Sequence, residues 1–137
     1  MRVVLDSNVL IAAFVARGAC AELLEHCARE HEPVTSPFIL EEVRDKLVTK
    51  IGVAVTQAER AVSLIRARFT LVEPSSLPVR VSRDPDDDAI LGTAVAGRCD
   101  LIVTGDRDLL DLVVYEKIPI VSPRDFWRHE SRHQGRE

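Results

Sequence analysis

Met1-Arg2-Val3-Val4-Leu5-Asp6-Ser7-Asn8-Val9-Leu10 is the stretch from which the fold can be read. Arg2 to Leu5 is short, β-branched and nearly all apolar, the composition of a central parallel strand covered by helices on both faces. The run ends on a carboxylate. Asp6, Ser7 and Asn8 place oxygen-bearing side chains where the strand hands over to the apolar helical stretch Val9 to Val15. In open α/β sheets that edge is where ligands bind. Asp, Ser and Asn are also good N-caps, so the triplet alone is equally readable as a plain helix start.

The 137 residues suit one domain with a real core, and 46% hydrophobic with 29% charged residues is a globular balance. Helix-forming runs alternate with short Val/Ile/Leu runs, the signature of an α/β domain. After a break near Gly18, Cys20, Leu23, Leu24, Cys27 and His31 follow the spacing of an amphipathic helix, with His31 read as a helix-end residue favoured by the dipole. Val34-Thr35 reads as a second strand, and Ser36-Pro37 opens a third helix that turns Leu40, Val43 and Leu47 inward. A fourth helix is expected over residues 56–69, a third strand over 70–74, and a loop with an extended piece over 75–83. Leu101 to Val103 and Ile118 to Val121 read as further buried strands. Ser122-Pro123-Arg124-Asp125 starts a C-terminal helix carrying Phe126 and Trp127, with fraying expected after His129. The expected organisation is a single domain over residues 1–126, followed by a helix end and an Arg/His-rich tail over 127–137.

Composition narrows the classes. No apolar run approaches the roughly 18 residues of a membrane span, and no signal-peptide pattern precedes the first strand, so a cytoplasmic protein without a membrane partner is expected. Cys20, Cys27 and Cys99 are odd in number and lack CxxC spacing, which argues against a disulfide framework or a zinc site and for buried free thiols. No glycine-rich phosphate loop is present. The net charge of −4 argues against a polyanionic partner, but the acids are concentrated in a few places while Arg and Lys are spread along the chain. An acidic, cation-recruiting site ringed by basic residues still accommodates a phosphodiester.

Those acids recur at equivalent places. Glu42 lies beside the inward stripe of the third helix, with Glu41 as its alternate; both also suit the positive end of the helix dipole. Asp84-Pro85-Asp86-Asp87-Asp88 opens another helix with more carboxylates than a cap requires. Stepping back from Ile90, Leu91 and Ala94 by three, four and seven residues selects Asp87 as the inward acid, with Asp88 as its alternate. Leu101-Ile102-Val103-Thr104-Gly105-Asp106 repeats the strand-then-acid pattern of the first strand, with Asp108 two residues on and a capping role again open to Asp106. A parallel sheet brings Asp6, Glu42, Asp87 and Asp106 to one edge. Oxygen-only ligands select Mg²⁺ or Mn²⁺ over zinc, and such ions suit phosphoryl chemistry.

Leu5-Asp6-Ser7-Asn8-Val9-Leu10, Ser36 through Glu42-Val43, Asp84-Pro85-Asp86-Asp87 and Val103-Thr104-Gly105-Asp106-Arg107-Asp108-Leu109-Leu110 together resemble the PIN-domain family, especially the VapC-like toxin components of toxin–antitoxin pairs. The resemblance covers about residues 1–126. It implies an α/β three-layer sandwich, with a central parallel sheet of about five strands flanked by helices. It further implies a Mg²⁺- or Mn²⁺-dependent endoribonuclease acting on single-stranded RNA. Asp6, Glu42, Asp87 and Asp106 match the family's acidic metal-site residues, and Ser7, Asn8 and Thr104 match its supporting polar positions. A homodimer and an inhibitory antitoxin partner are implied as well. Two rival readings fit the residues less well. An aspartate-nucleophile phosphatase needs an acid where Asn8 stands, and a PIN-like scaffold that binds RNA or a partner without cutting has no need of all four acids.

Overall fold

Val3, Val4 and Leu5 of β1 (Arg2–Leu5) are wholly buried, as befits a strand flanked on both edges and covered on both faces. The computed structural model describes residues 1–16 and 18–135. β1 pairs in parallel with β2 (Glu32–Thr35) on one side and with β4 (Leu101–Val103) on the other, so that Val4 stands opposite Val34 and Ile102. β3 (Thr70–Leu71) lies outside β2, and β6 (Ile118–Val121) lies outside β4, both parallel. β5 (Val114–Tyr115) closes the far edge antiparallel to β6, giving the order β3-β2-β1-β4-β6-β5.

The expected central parallel sheet of about five strands is present as β3-β2-β1-β4-β6, and a sixth, antiparallel strand extends it. Its two-residue length carries no periodicity, and it forms because Glu116 and Lys117 take positive φ values of 46° and 68° to turn the chain tightly into β6. β3 is shorter than expected: after Val72 donates its amide to the Thr35 carbonyl at 2.9 Å, Pro74 has no amide to continue with.

Among the described residues seven helices cover the sheet: α1 (Ser7–Val15), α2 (Ala19–Glu30), α3 (Pro37–Lys46), α4 (Val55–Arg68), α5 (Pro85–Ala96), α6 (Arg107–Leu112) and α7 (Pro123–Gly135). A π-helical turn, Leu47–Ile51, extends α3 and ends at Gly52, whose φ of 86° suits only a residue without a Cβ. The start of α3 is tied to α5. Ser36 Oγ accepts from the Ile39 amide at 3.4 Å and from the Thr93 hydroxyl at 2.9 Å. Gly92 lets the loop before α5 approach closely, since a Cβ there would stand 2.3 Å from the Ser75 carbonyl oxygen.

Fraying after His129 is not what the structure shows. α7 continues to Gly135, because Phe126 and Glu130 are buried against α2; Arg136 and Glu137 of the expected basic tail lie outside the described residues. Cys27 and Cys99 are buried free thiols, each pushed up to about 12 chiefly by burial, while Cys20 is half-buried. Among the described residues no single helix is long and apolar enough to cross a membrane.

Candidate active site

The carboxyl ends of β1 and β4 lie side by side, and their acids follow from that pairing. The Asp6 amide donates to the Val103 carbonyl at 3.0 Å, which continues the β1–β4 ladder one residue past the strand. Asp6 occupies the N-cap position of α1, yet its side chain makes no capping hydrogen bond. Its carboxylate instead accepts from the Thr104 hydroxyl at 2.6 Å and from the Ser7 hydroxyl at 3.2 Å. Burial lifts the Asp6 carboxyl above the ordinary range, against the pull of those two hydroxyls.

Two hydroxyls carry the arrangement outward from Asp6. The Ser7 hydroxyl also reaches Glu42 of α3, so its single proton is shared between two carboxylates and links them. Glu42 lies 3.4 Å from Lys46 Nζ, which donates to Asn8 Oδ1 at 3.3 Å. Thr104 Oγ1, besides donating to Asp6, accepts from the Asp106 amide at 3.0 Å. Asp106 caps α6 through Oδ1, which accepts from the Asp108 amide at 2.8 Å. Capping is thus part of what Asp106 does.

α5 delivers the remaining acids. Asp84 is its N-cap, with Oδ1 accepting from the Asp86 amide at 3.0 Å, and Pro85 follows at the first helical position. Asp87 is buried and accepts from the Ser82 hydroxyl at 2.9 Å. Burial pushes its carboxyl up to about 6, with the negative charges of Asp106 and Asp84 adding to the effect and the Ser82 hydrogen bond opposing it. Oxygens of Asp87, Asp106 and Asp108 all lie within 4.8 Å of one another. That triangle does not include Asp6 or Glu42, which join it through Thr104, Ser7 and the α5 acids.

The alternates separate by direction. Asp88 turns back to its own loop, accepting from the amides of Val81 at 3.0 Å and Ser82 at 2.8 Å. Glu41 is exposed and 3.9 Å from Arg44. Asp108 joins the triangle while also pairing with Arg83 at 2.8 Å.

Sequence reasoning missed four contributors. Asp86, exposed in the first turn of α5, has its carboxyl raised by partial desolvation and by the neighbouring Asp84 and Glu42 charges. Its signal was available: it stands four residues before Ile90, one step from the phase that selected Asp87. Ser82, Lys46 and Arg83 left no readable signal, because a loop hydroxyl and two rim cations become partners only through the fold.

The donor set fits a hard divalent cation. Carboxylate and hydroxyl oxygens make up the edge, with buried Asp87 facing two further acids, and the cations that reach it, Lys46 and Arg83, stand at its rim. Mutually close carboxylates repel one another unless a cation lies among them.

Comparison with known proteins bears on the family and the fold. The sequence model of the PIN domain family matches residues 2–108. The fold is similar to VapBC2 from Rickettsia felis, solved bound to a DNA fragment from their promoter: TM-score 0.63 and 14% identity over 89% of this chain and 98% of that one. It is also similar to VapBC-1 from nontypeable Haemophilus influenzae, with TM-score 0.62 and 16% identity over 90% of this chain and 99% of that one. No curated protein matches the sequence.

Proposed function

The chain belongs to the PIN domain family, and from that premise we propose that it is a Mg²⁺- or Mn²⁺-dependent endoribonuclease acting on single-stranded RNA, the toxin of a toxin–antitoxin pair. The observation that carries this reading is the oxygen-only edge, where Asp87, Asp106 and Asp108 approach within 4.8 Å beside a buried Asp6. Asp6, Glu42, Asp87 and Asp106 are the proposed metal-site and catalytic residues, with Ser7, Asn8 and Thr104 in support. A bound Mg²⁺ or Mn²⁺ supplies charge neutralisation at the phosphodiester and an activated water.

The chain's own groups do the positioning. Thr104 and Ser7 fix both oxygens of Asp6, so the carboxylate presents one orientation and reorganises little when a cation arrives. Ser82 holds Asp87 in the same way. Lys46 and Arg83, at the rim, offer positive charge to phosphates flanking the reacting one.

A protein partner is supported by a second surface. Phe14, Val15, Ile51 and Leu64 line an apolar groove of about 470 Å³ bordered by α1, the π turn and α4, and all four side chains are exposed. An exposed apolar patch of this kind marks a protein contact. We assign it to the cognate antitoxin or to a second copy of the chain; the likeness in fold to VapBC assemblies favours the antitoxin.

The test is cleavage of a pool of short single-stranded RNAs by the purified chain in Mg²⁺, in Mn²⁺ and in excess chelator. Metal-dependent cutting that disappears in Asp6→Asn and Asp87→Asn is the expected result. Undiminished RNA binding with no cutting by the wild type under any metal would instead identify a scaffold that binds without catalysis.

A further inference from the structure

α7 carries a second cluster of ligating groups to the opposite end of the sheet. α2 ends at His31, directly before β2, and His31 Nδ1 lies 3.1 Å from the amino group of Met1, which precedes β1. This is the amino-terminal edge of the parallel strands, whereas Asp6 and Asp106 mark the carboxyl-terminal edge. α7 starts after the carboxyl end of β6 and runs back, bringing Glu130 to both histidines. Glu130 Oε2 accepts from His31 Nε2 at 2.6 Å and is also bonded to His26 Nε2.

We infer that His26, His31 and Glu130 form a binding site for a zinc-class transition-metal ion, separate from the carboxylate edge. Three ligand atoms from two helices converge within 4.8 Å of one another. Two imidazole nitrogens with one carboxylate oxygen form a donor set that suits Zn²⁺, Co²⁺ or Ni²⁺ and not Mg²⁺, and it leaves a fourth position for water. Two ligands about 2.0–2.1 Å from a tetrahedral zinc lie roughly 3.3 Å apart. Glu130 and His31 therefore part by well under an ångström to admit the ion, starting from 2.6 Å.

The surroundings complete the case. Glu130 is 7% exposed and holds both rings through Oε2, so a cation placed among the three groups would take over the same three atoms, displacing the protons that the ring nitrogens share with the carboxylate. Phe126 is wholly buried and packs edge-on against both imidazoles, while Trp127 lies 4.8 Å from the His26 ring. This aromatic wall holds the rings in place and limits water on one side, as the outer shell of a metal site does. His26, with 20% of its side chain exposed, keeps a path to solvent. The sequence argues against a zinc site from its cysteines and reads His31 as a helix-end residue; the present set departs from both readings, because it needs no cysteine and His31 meets Glu130 only in the fold. Neither histidine lies within helical reach of Glu130 in sequence, so no motif announces the set.

The experiment is Zn²⁺ binding by the full-length, chelator-stripped chain, measured by competition with a chromophoric chelator. The visible spectrum of the Co²⁺-loaded chain is recorded beside it. The expected result is one Zn²⁺ per chain held tighter than about 1 µM, with the intense bands of tetrahedral Co²⁺. Affinity should fall in His26→Gln and Glu130→Gln by more than the roughly 10–100-fold that loss of an outer-shell partner costs, and stay unchanged in Asp87→Asn. Circular dichroism confirms that each variant is folded, and the wild-type Co²⁺ spectrum needs no variant at all. Absence of tight Zn²⁺ binding in the folded wild type overturns the inference and leaves the cluster a hydrogen-bonded clasp. Zinc lost in Asp87→Asn but retained in His26→Gln overturns it equally, by moving the ion to the carboxylate edge.

Discussion

Replacing Asp87 by Asn interrogates the carboxylate edge without any RNA. Asp87 is buried among acids, and its carboxyl is lifted from 3.8 to about 6. At about 1.4 kcal/mol per pH unit, that difference makes the ionised Asp87 a burden of about 3 kcal/mol on the metal-free fold. The sign follows from proton counts. Below about pH 4 the group is protonated in folded and unfolded chains alike and has no effect. Between about pH 4 and 6 the unfolded chain ionises first, so stability falls as pH rises, and above about pH 6 the whole burden is present. Asn is neutral and keeps an oxygen for the Ser82 hydroxyl. In excess chelator at pH 7.5, Asp87→Asn should therefore be more stable to urea than the wild type by about 2–3 kcal/mol, with the gain vanishing near pH 3.5. Saturating Mn²⁺ should reverse the order, stabilising the wild type while leaving the variant nearly unmoved. A variant less stable than the wild type in chelator at pH 7.5 would refute the reasoning, since Asp87 would then be worth more as a hydrogen-bond partner than it costs as a charge.

Other perturbations probe the parts separately. Thr104→Val keeps the shape but strips Asp6 of a 2.6 Å hydrogen bond and leaves the Asp106 amide without its acceptor; urea melts should register a loss of about 1–3 kcal/mol. Gly92→Ala forces a Cβ to within 2.3 Å of the Ser75 oxygen, and the backbone shift should outweigh the helix-propensity gain, for a net loss of about 1–2 kcal/mol in thermal unfolding. Asp88→Ala frees the amides of Val81 and Ser82; RNA cleavage should fall, but less than in Asp87→Asn, because the effect reaches the site only through Ser82. Arg83→Gln removes an exposed partner of Asp108, so stability should stay within about 0.5 kcal/mol while calorimetry shows tighter Mn²⁺ binding.

Much of the fold was legible because burial on both faces leaves a plain signature. β1 and β4 are continuous apolar runs, and Ser36-Pro37 and Asp84-Pro85 mark helix starts that the structure places at the same residues. β5 was not legible, since a two-residue edge strand is made by the turn beside it. The extent of α7 was misjudged for a related reason. Its last turns are polar, and what holds them is Glu130 meeting histidines about a hundred residues earlier, which no local pattern encodes. Within the candidate site, strand-end acids could be foreseen from topology alone. The hydroxyls that orient them, Ser82 above all, depend on a loop whose path the sequence does not specify.

The bond from Thr104 to Asp6 spans 98 residues of chain yet only 2.6 Å of space. During synthesis the first acid emerges early and waits. It acquires its orienting partner only after β4 has left the ribosome and docked beside β1, the slow, non-local kind of pairing. No amino-terminal fragment that stops short of Thr104 carries the oriented site. A nascent chain stalled before Thr104 therefore lacks the oriented edge, and whatever activity the carboxylates confer is withheld until β4 has been made and docked.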